Sequence, residues 1–163
     1  MSIITPYIDN LEKLKTEIPD IAKTAIMEHK DEILYTIQFG QLGLGLNSAG
    51  TPLKWSSGGK KGNGYYGKTT QQYADAAGIP YDKTKGQAYN FQWSGDTFDS
   101  MGIKQQELDS YEIFTIDGKQ RLLEKTYGEI FKLTPQNNKF INDTIIVPAI
   151  YQHILKNLLR VKR

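Results

Sequence analysis

The chain has 163 residues, a net charge of +2, fifteen glycines, two histidines and no cysteine. That length supports one domain with a core of its own, and without cysteine there is neither a disulfide nor a thiolate metal site. So small a net charge does not by itself imply nucleic-acid binding. No run approaches the ~18 apolar residues of a membrane span. The N-terminal residues Met1 to Pro6 lack the basic and apolar regions of a signal peptide.

Residues 10–38 carry helical periodicity: Leu11, Leu14, Ile18, Ile21, Ala25, Ile33 and Ile37 fall mostly three or four apart. A proline costs ~3 kcal/mol inside a helix and almost nothing in its first turn. Pro19 therefore predicts a helix ending near Thr16 and a second one from Pro19 to just before Gly40. Together they make a helical arm over residues 1–39. His29 lies among Glu28, Lys30, Asp31 and Glu32 and reads as part of a solvated face. His153 reads as the flank of a late helix.

Residues 40–86 read as a long loop region. Nine of the fifteen glycines lie between Gly40 and Gly67, which argues against a regular helix there. No acidic residue occurs from Ile33 to Ala74, while Lys54, Lys60, Lys61 and Lys68 do. Three readings stay open. The loop is solvated and pinned by its aromatics, or it presents Leu42, Leu44, Leu53, Trp55, Tyr65, Tyr66 and Tyr73 to a partner chain. In the third, its lysines meet a phosphate backbone. Gly62 to Thr69 also matches the phosphate-binding pattern G-x-x-x-x-G-K-[ST]. Such a motif needs a buried strand before it, and Trp55 to Lys61 cannot be one. Nucleotide binding is thus an alternative, not the expectation.

Residues 87–117 read as a sheet. Gln87 to Trp93 is aromatic-rich, Ser94-Gly95-Asp96 is turn chemistry, and Phe98 to Gln106 and Tyr111 to Asp117 supply two more strands. The fold class expected is α+β, with a small antiparallel sheet of three to four strands packed by N- and C-terminal helices. No convergent acid–base set accompanies it. Residues 119–163 then read as helical. Leu122 and Leu123 are expected inward, Gly128 as a stop, Thr134 as N-cap with Pro135 at the first position, and Pro148 as a kink. Lys156, Arg160, Lys162 and Arg163 complement the dipole of the last helix, or line a DNA path.

The segment Ser94-Gly95-Asp96-Thr97-Phe98-Asp99-Ser100-Met101, followed by Gly128-Glu129-Ile130-Phe131-Lys132-Leu133-Thr134, resembles the tail-completion or virion-morphogenesis family of tailed phages. Members typically carry a T/S-G-x-[LF]-x-x-S segment at a strand junction and a G-x-[IL]-[FL]-x-L-[ST] segment opening the final helix. Phe98 stands one place later than the strictest spacing. Gly50-Thr51-Pro52-Leu53 with Thr69-Thr70 is similar to an upstream loop of the family. The resemblance implies a non-enzymatic subunit without cofactors. It would form a homo-oligomeric ring at the head–tail junction, beside other virion proteins and around the genomic DNA, after synthesis in the host cytoplasm. Ser94, Gly95, Phe98, Ser100 and Met101 would be its structural junction. Lys54, Lys60, Lys61, Lys68, Arg160, Lys162 and Arg163 would face DNA. The alternatives are a nucleotide-binding protein and a small nonspecific nucleic-acid-binding module.

Overall fold

The protein is described from a computed structural model covering residues 5–54, 56–57, 60–61, 64–92, 94–107, 110–116 and 118–160. It is α+β and packs as two compact units, residues 31–139 and residues 1–30 with 140–163. No helix among the described residues is long and apolar enough to cross a membrane.

In the unit built from the chain ends, α1 (Thr5–Glu28) packs against α7 (Val147–Arg160) and the turn before it. Among its described residues, Leu14, Ala25, Ile141 and Ile145 are the buried apolar ones. The helix does not break at Pro19, contrary to the sequence expectation. Pro19 has no N–H for the Lys15 carbonyl, but both residues are exposed, so water can take that bond. The interruption falls instead at His29, after which α2 (Lys30–Gly40) begins. The second proline is accommodated differently. Five residues of π-helix, Asn142–Ile146, precede α7, and the Val147 N–H donates to the Asn142 carbonyl. This widened turn sits where the Pro148 ring would meet the backbone one turn upstream.

The other unit is built on one apolar cluster. Ile37, Leu42, Leu53, Phe98, Met101, Ile113, Ile130 and Phe131 are buried together, with Tyr89, Phe91, Leu123 and Tyr127 packed against them. Around it run a 3-10 turn (Leu42–Leu44), β1 (Ser56–Ser57), β2 (Lys60–Lys61), α3 (Lys68–Ala77), α4 (Asp96–Asp99), β3 (Met101–Glu107), β4 (Ser110–Thr115), α5 (Gln120–Tyr127) and α6 (Pro135–Ile141). Among the described residues the sheets are two antiparallel pairs, β1–β2 and β3–β4. Met101 stands opposite Thr115 and Ile103 opposite Ile113.

Three expectations change here. Residues 87–92 do not form a strand; they hold a single bridge, Tyr65 to Ala88. Their aromatics line a pocket rather than a pleated face. Phe98 lies not on a strand but on α4, launched by Gly95 at φ +94, a conformation that excludes most side chains. Finally, the glycine-rich region is not one open loop, because Leu42 and Leu53 are fully buried in the core and α3 closes it. Gly45 makes this packing possible: a Cβ there would meet the Tyr89 carbonyl at 2.6 Å.

The C-terminal signals read as expected at two points. Thr134 Oγ1 accepts the Asn137 N–H at 3.1 Å, capping α6 with Pro135 at its first position. Gly128, at φ +81, ends α5. Leu122, expected inward, is exposed, because α5 is a short helix that turns Leu123 to the core.

Candidate functional site

The two segments that carry the family resemblance meet in the core of residues 31–139. Phe98 and Met101 from the first and Ile130 and Phe131 from the second belong to the same buried cluster. Each segment is tied to the end of α2 by a glutamine. Gln38 Nε2 donates to the Phe98 carbonyl at 2.8 Å. Gln41, which is fully buried, donates through Nε2 to the carbonyls of Ile130 (3.1 Å) and Lys132 (2.8 Å). Its Oε1 accepts the Thr134 N–H at 2.9 Å. One amide thus satisfies three backbone groups of a segment that has no ladder partner of its own. Nothing in the sequence distinguishes Gln41 from the surface glutamines, so sequence reasoning missed it.

The junction itself is a compact hydrogen-bonded corner. Ser100 Oγ is bonded to Thr115 Oγ1 across the start of the β3–β4 pair and donates to the Thr97 carbonyl at 3.2 Å. Ser94 is exposed, while Phe98 and Met101 are buried. Phe98 and Met101 are thus committed to packing, and Ser100 to hydrogen bonds within the corner.

The residues expected on a partner surface stand in different environments. Leu44, Tyr65 and Tyr73 are exposed, Tyr73 at 68%. Leu42 and Leu53 are core residues and have no surface to offer, which corrects that expectation. Tyr66 is half-buried and points into a pocket, and Trp55 lies outside the described residues. Tyr35 and Phe39 on α2 add an unforeseen exposed pair, with ring centroids 4.7 Å apart. Of the expected DNA-facing residues, Lys54 and Lys68 are exposed. Lys60 and Lys61 form β2 and Arg160 ends α7, with their side chains outside the described residues. Lys162 and Arg163 lie wholly outside them.

The phosphate-loop pattern does open a helix, α3; its Gly62 and Asn63 lie outside the described residues, and Gly64 and Tyr66 are bonded to the segment that follows α3. The Tyr66 N–H donates to the Gln87 carbonyl, its carbonyl accepts the Gly86 N–H, and the Gly64 carbonyl accepts the Tyr89 N–H. Residues 64–66 are therefore hydrogen-bonded to 86–89, which spends the Tyr66 N–H. A phosphate cradle needs such N–H groups turned inward to the ligand.

That pairing builds the pocket that sequence reasoning did not anticipate, a cavity of about 470 Å³. Tyr66, Tyr89, Phe91 and Tyr127 form its wall in a run of edge-to-face contacts, with centroids 5.1 Å (Tyr66–Tyr89), 6.1 Å (Tyr89–Tyr127) and 4.9 Å (Phe91–Tyr127) apart. Phe91 has φ +53, the one positive φ at a non-glycine among the described residues. Into this wall comes Lys83, 4% exposed. Its Nζ donates to Tyr66 Oη at 2.9 Å and to Asn90 Oδ1, and lies 4.8 Å from the Tyr66 ring centroid. Burial pulls the Lys83 ammonium down to about 8, with Asp82 opposing weakly, and pushes the Tyr66 phenol up to about 12. Asp82 spends its carboxylate on Thr84 and Gln87. The only hint in the sequence was an aromatic-rich run without strand alternation.

In the unit of the chain ends, His153 Nε2 on α7 meets Glu17 Oε2 on α1 at 2.9 Å, beside an open groove of about 930 Å³. This hydrogen bond, helped by Lys13, holds the Glu17 carboxyl below its usual range. Among the described residues no three His, Asp or Glu side chains are grouped to hold a metal. Compared with protein-family models, with curated proteins and with solved structures, the chain matches none.

Proposed function

We propose that the chain is a non-enzymatic structural subunit that closes with copies of itself into a ring at the head–tail junction of a tailed-phage particle. The observation that carries this reading is how the resembling segments are used. Phe98, Met101, Ile130 and Phe131 share one core, and Gln38 and Gln41 pin both segments to α2. Residues held this way specify shape. A closed ring is a heterologous assembly and needs two different faces on each subunit. Leu44, Tyr65 and Tyr73 offer exposed apolar groups for one face, and Tyr35 and Phe39 are further exposed aromatics.

In this reading other virion proteins flank the ring and the genome passes through it. Lys54 and Lys68, with Lys60, Lys61, Arg160, Lys162 and Arg163, supply nonspecific attraction to phosphates. The test is a charge placed on the first face. Leu44→Asp combined with Tyr73→Asp should shift sedimentation from assembly to single subunits. The thermal midpoint should stay close to that of the parent chain, because both positions are exposed. Assembly undiminished in this variant, with Tyr65→Asp added, would overturn the assignment of the face.

A further inference from the structure

We propose that the pocket walled by Tyr66, Tyr89, Phe91 and Tyr127 binds a small planar carboxylate, with Lys83 as its counter-charge. The inference is independent of the ring reading. Lys83 is nearly inaccessible, yet its two hydrogen-bond acceptors, Tyr66 Oη and Asn90 Oδ1, are both neutral. The neighbouring carboxylate, Asp82, is committed to Thr84 and Gln87. Buried charges in proteins are ordinarily paired. An ammonium has three N–H donors, and the two neutral acceptors take two of them.

The cavity that Lys83 lines has room for a ligand at about 470 Å³, inside the ~300–1,000 Å³ span of small-molecule sites. Its wall is aromatic, which favours a flat, unsaturated body. The charge balance favours a monoanion. Lys119, which also lines the cavity, is already 3.7 Å from Asp96, so among the described lining residues Lys83 is the cation left for a ligand, with Asp82 acting on it only through space. A dianionic phosphate would bring more negative charge than the site balances. The Phe91 backbone at φ +53 fits a wall held in place at some cost in strain.

The experiment is titration of the full chain, followed by calorimetry and by the ring-proton resonances of the tyrosines, with benzoate, benzamide and inorganic phosphate as probes. Benzoate should bind saturably, one per chain, and shift Tyr66 and Tyr127. Benzamide, which has the same shape without the charge, should bind ~10-fold or more weakly, as expected for loss of a charge-assisted hydrogen bond. Phosphate should bind more weakly than benzoate. Lys83→Met should remove benzoate binding, and Lys119→Ala should leave it within ~3-fold, as for an exposed and already paired charge. Equal affinity for benzoate and benzamide, no saturable benzoate binding, or tighter binding of phosphate would each overturn the proposal. The comparison of benzoate with benzamide uses the unaltered chain and decides the matter even if Lys83→Met does not fold.

Discussion

Gln41 and Phe98 illustrate two ways in which a single side chain supports this fold. Gln41→Leu would leave the Ile130 and Lys132 carbonyls and the Thr134 N–H without partners in a buried place. Each such group costs ~1–3 kcal/mol, so the substitution should destabilise by more than ~2 kcal/mol in urea unfolding. A change below ~0.5 kcal/mol would place Gln41 among ordinary surface residues. Phe98→Ala removes a ring from the core cluster and should cost ~3–5 kcal/mol. An unchanged melting temperature with assembly lost would make Phe98 an interface residue instead. Lys83 and Tyr66 predict a pH dependence. Between about 8 and the 10.5 of an unperturbed lysine, the folded chain has released the Lys83 proton while the unfolded chain keeps it, so stability rises with pH. From 10 to about 12 the folded chain keeps the Tyr66 proton that the unfolded chain loses, so stability falls. Urea unfolding from pH 7 to 12 should show the rise in the parent chain and its absence in Lys83→Met. A rise that persists in Lys83→Met would assign it to another group.

The helices of the chain ends and the β3–β4 pair were legible, because periodicity, alternation and caps are local signals. The cap at Thr134 and the stop at Gly128 were both readable, and α5 and α6 follow from them. Pro19 misled because the cost of a proline depends on whether its orphaned carbonyl reaches water, which a sequence does not state. Pro19→Ala restores an N–H to the Lys15 carbonyl inside a continuous α1, so it should stabilise by up to ~3 kcal/mol. Destabilisation in urea unfolding would mean that the helix is broken at Pro19 after all. Residues 87–92 misled for a different reason. Aromatic density marks burial as readily as it marks a strand, and here Tyr89 and Phe91 wall a pocket with Tyr66 and Tyr127 rather than lining a sheet. Leu42 and Leu53 stood in a glycine-rich stretch with no periodicity, and their burial depends on the close approach of residues 88–89 to Gly45.

For the molecule as a whole, the α+β class was legible and the arrangement of the candidate surfaces was not, because exposure follows from tertiary packing. The lysines bear on the genome only in numbers. With a net charge of +2, single subunits should bind DNA weakly, whereas a ring repeats Lys54, Lys60, Lys61 and Lys68 around one path. Binding should therefore be a property of the assembly, lack sequence preference and fall steeply with salt. Replacing the four lysines should flatten the salt slope in a filter-binding titration. Tight binding by single subunits, or strong sequence preference, would favour a nucleic-acid module instead. Everything at this scale depends on closure into a ring. Its most direct test is the mass of the purified chain by light scattering, with negative-stain images of the same sample. A single species at a whole-number multiple of the chain mass, seen as closed rings with a central opening, is the predicted result. A folded chain that keeps the mass of one subunit at every concentration would contradict it.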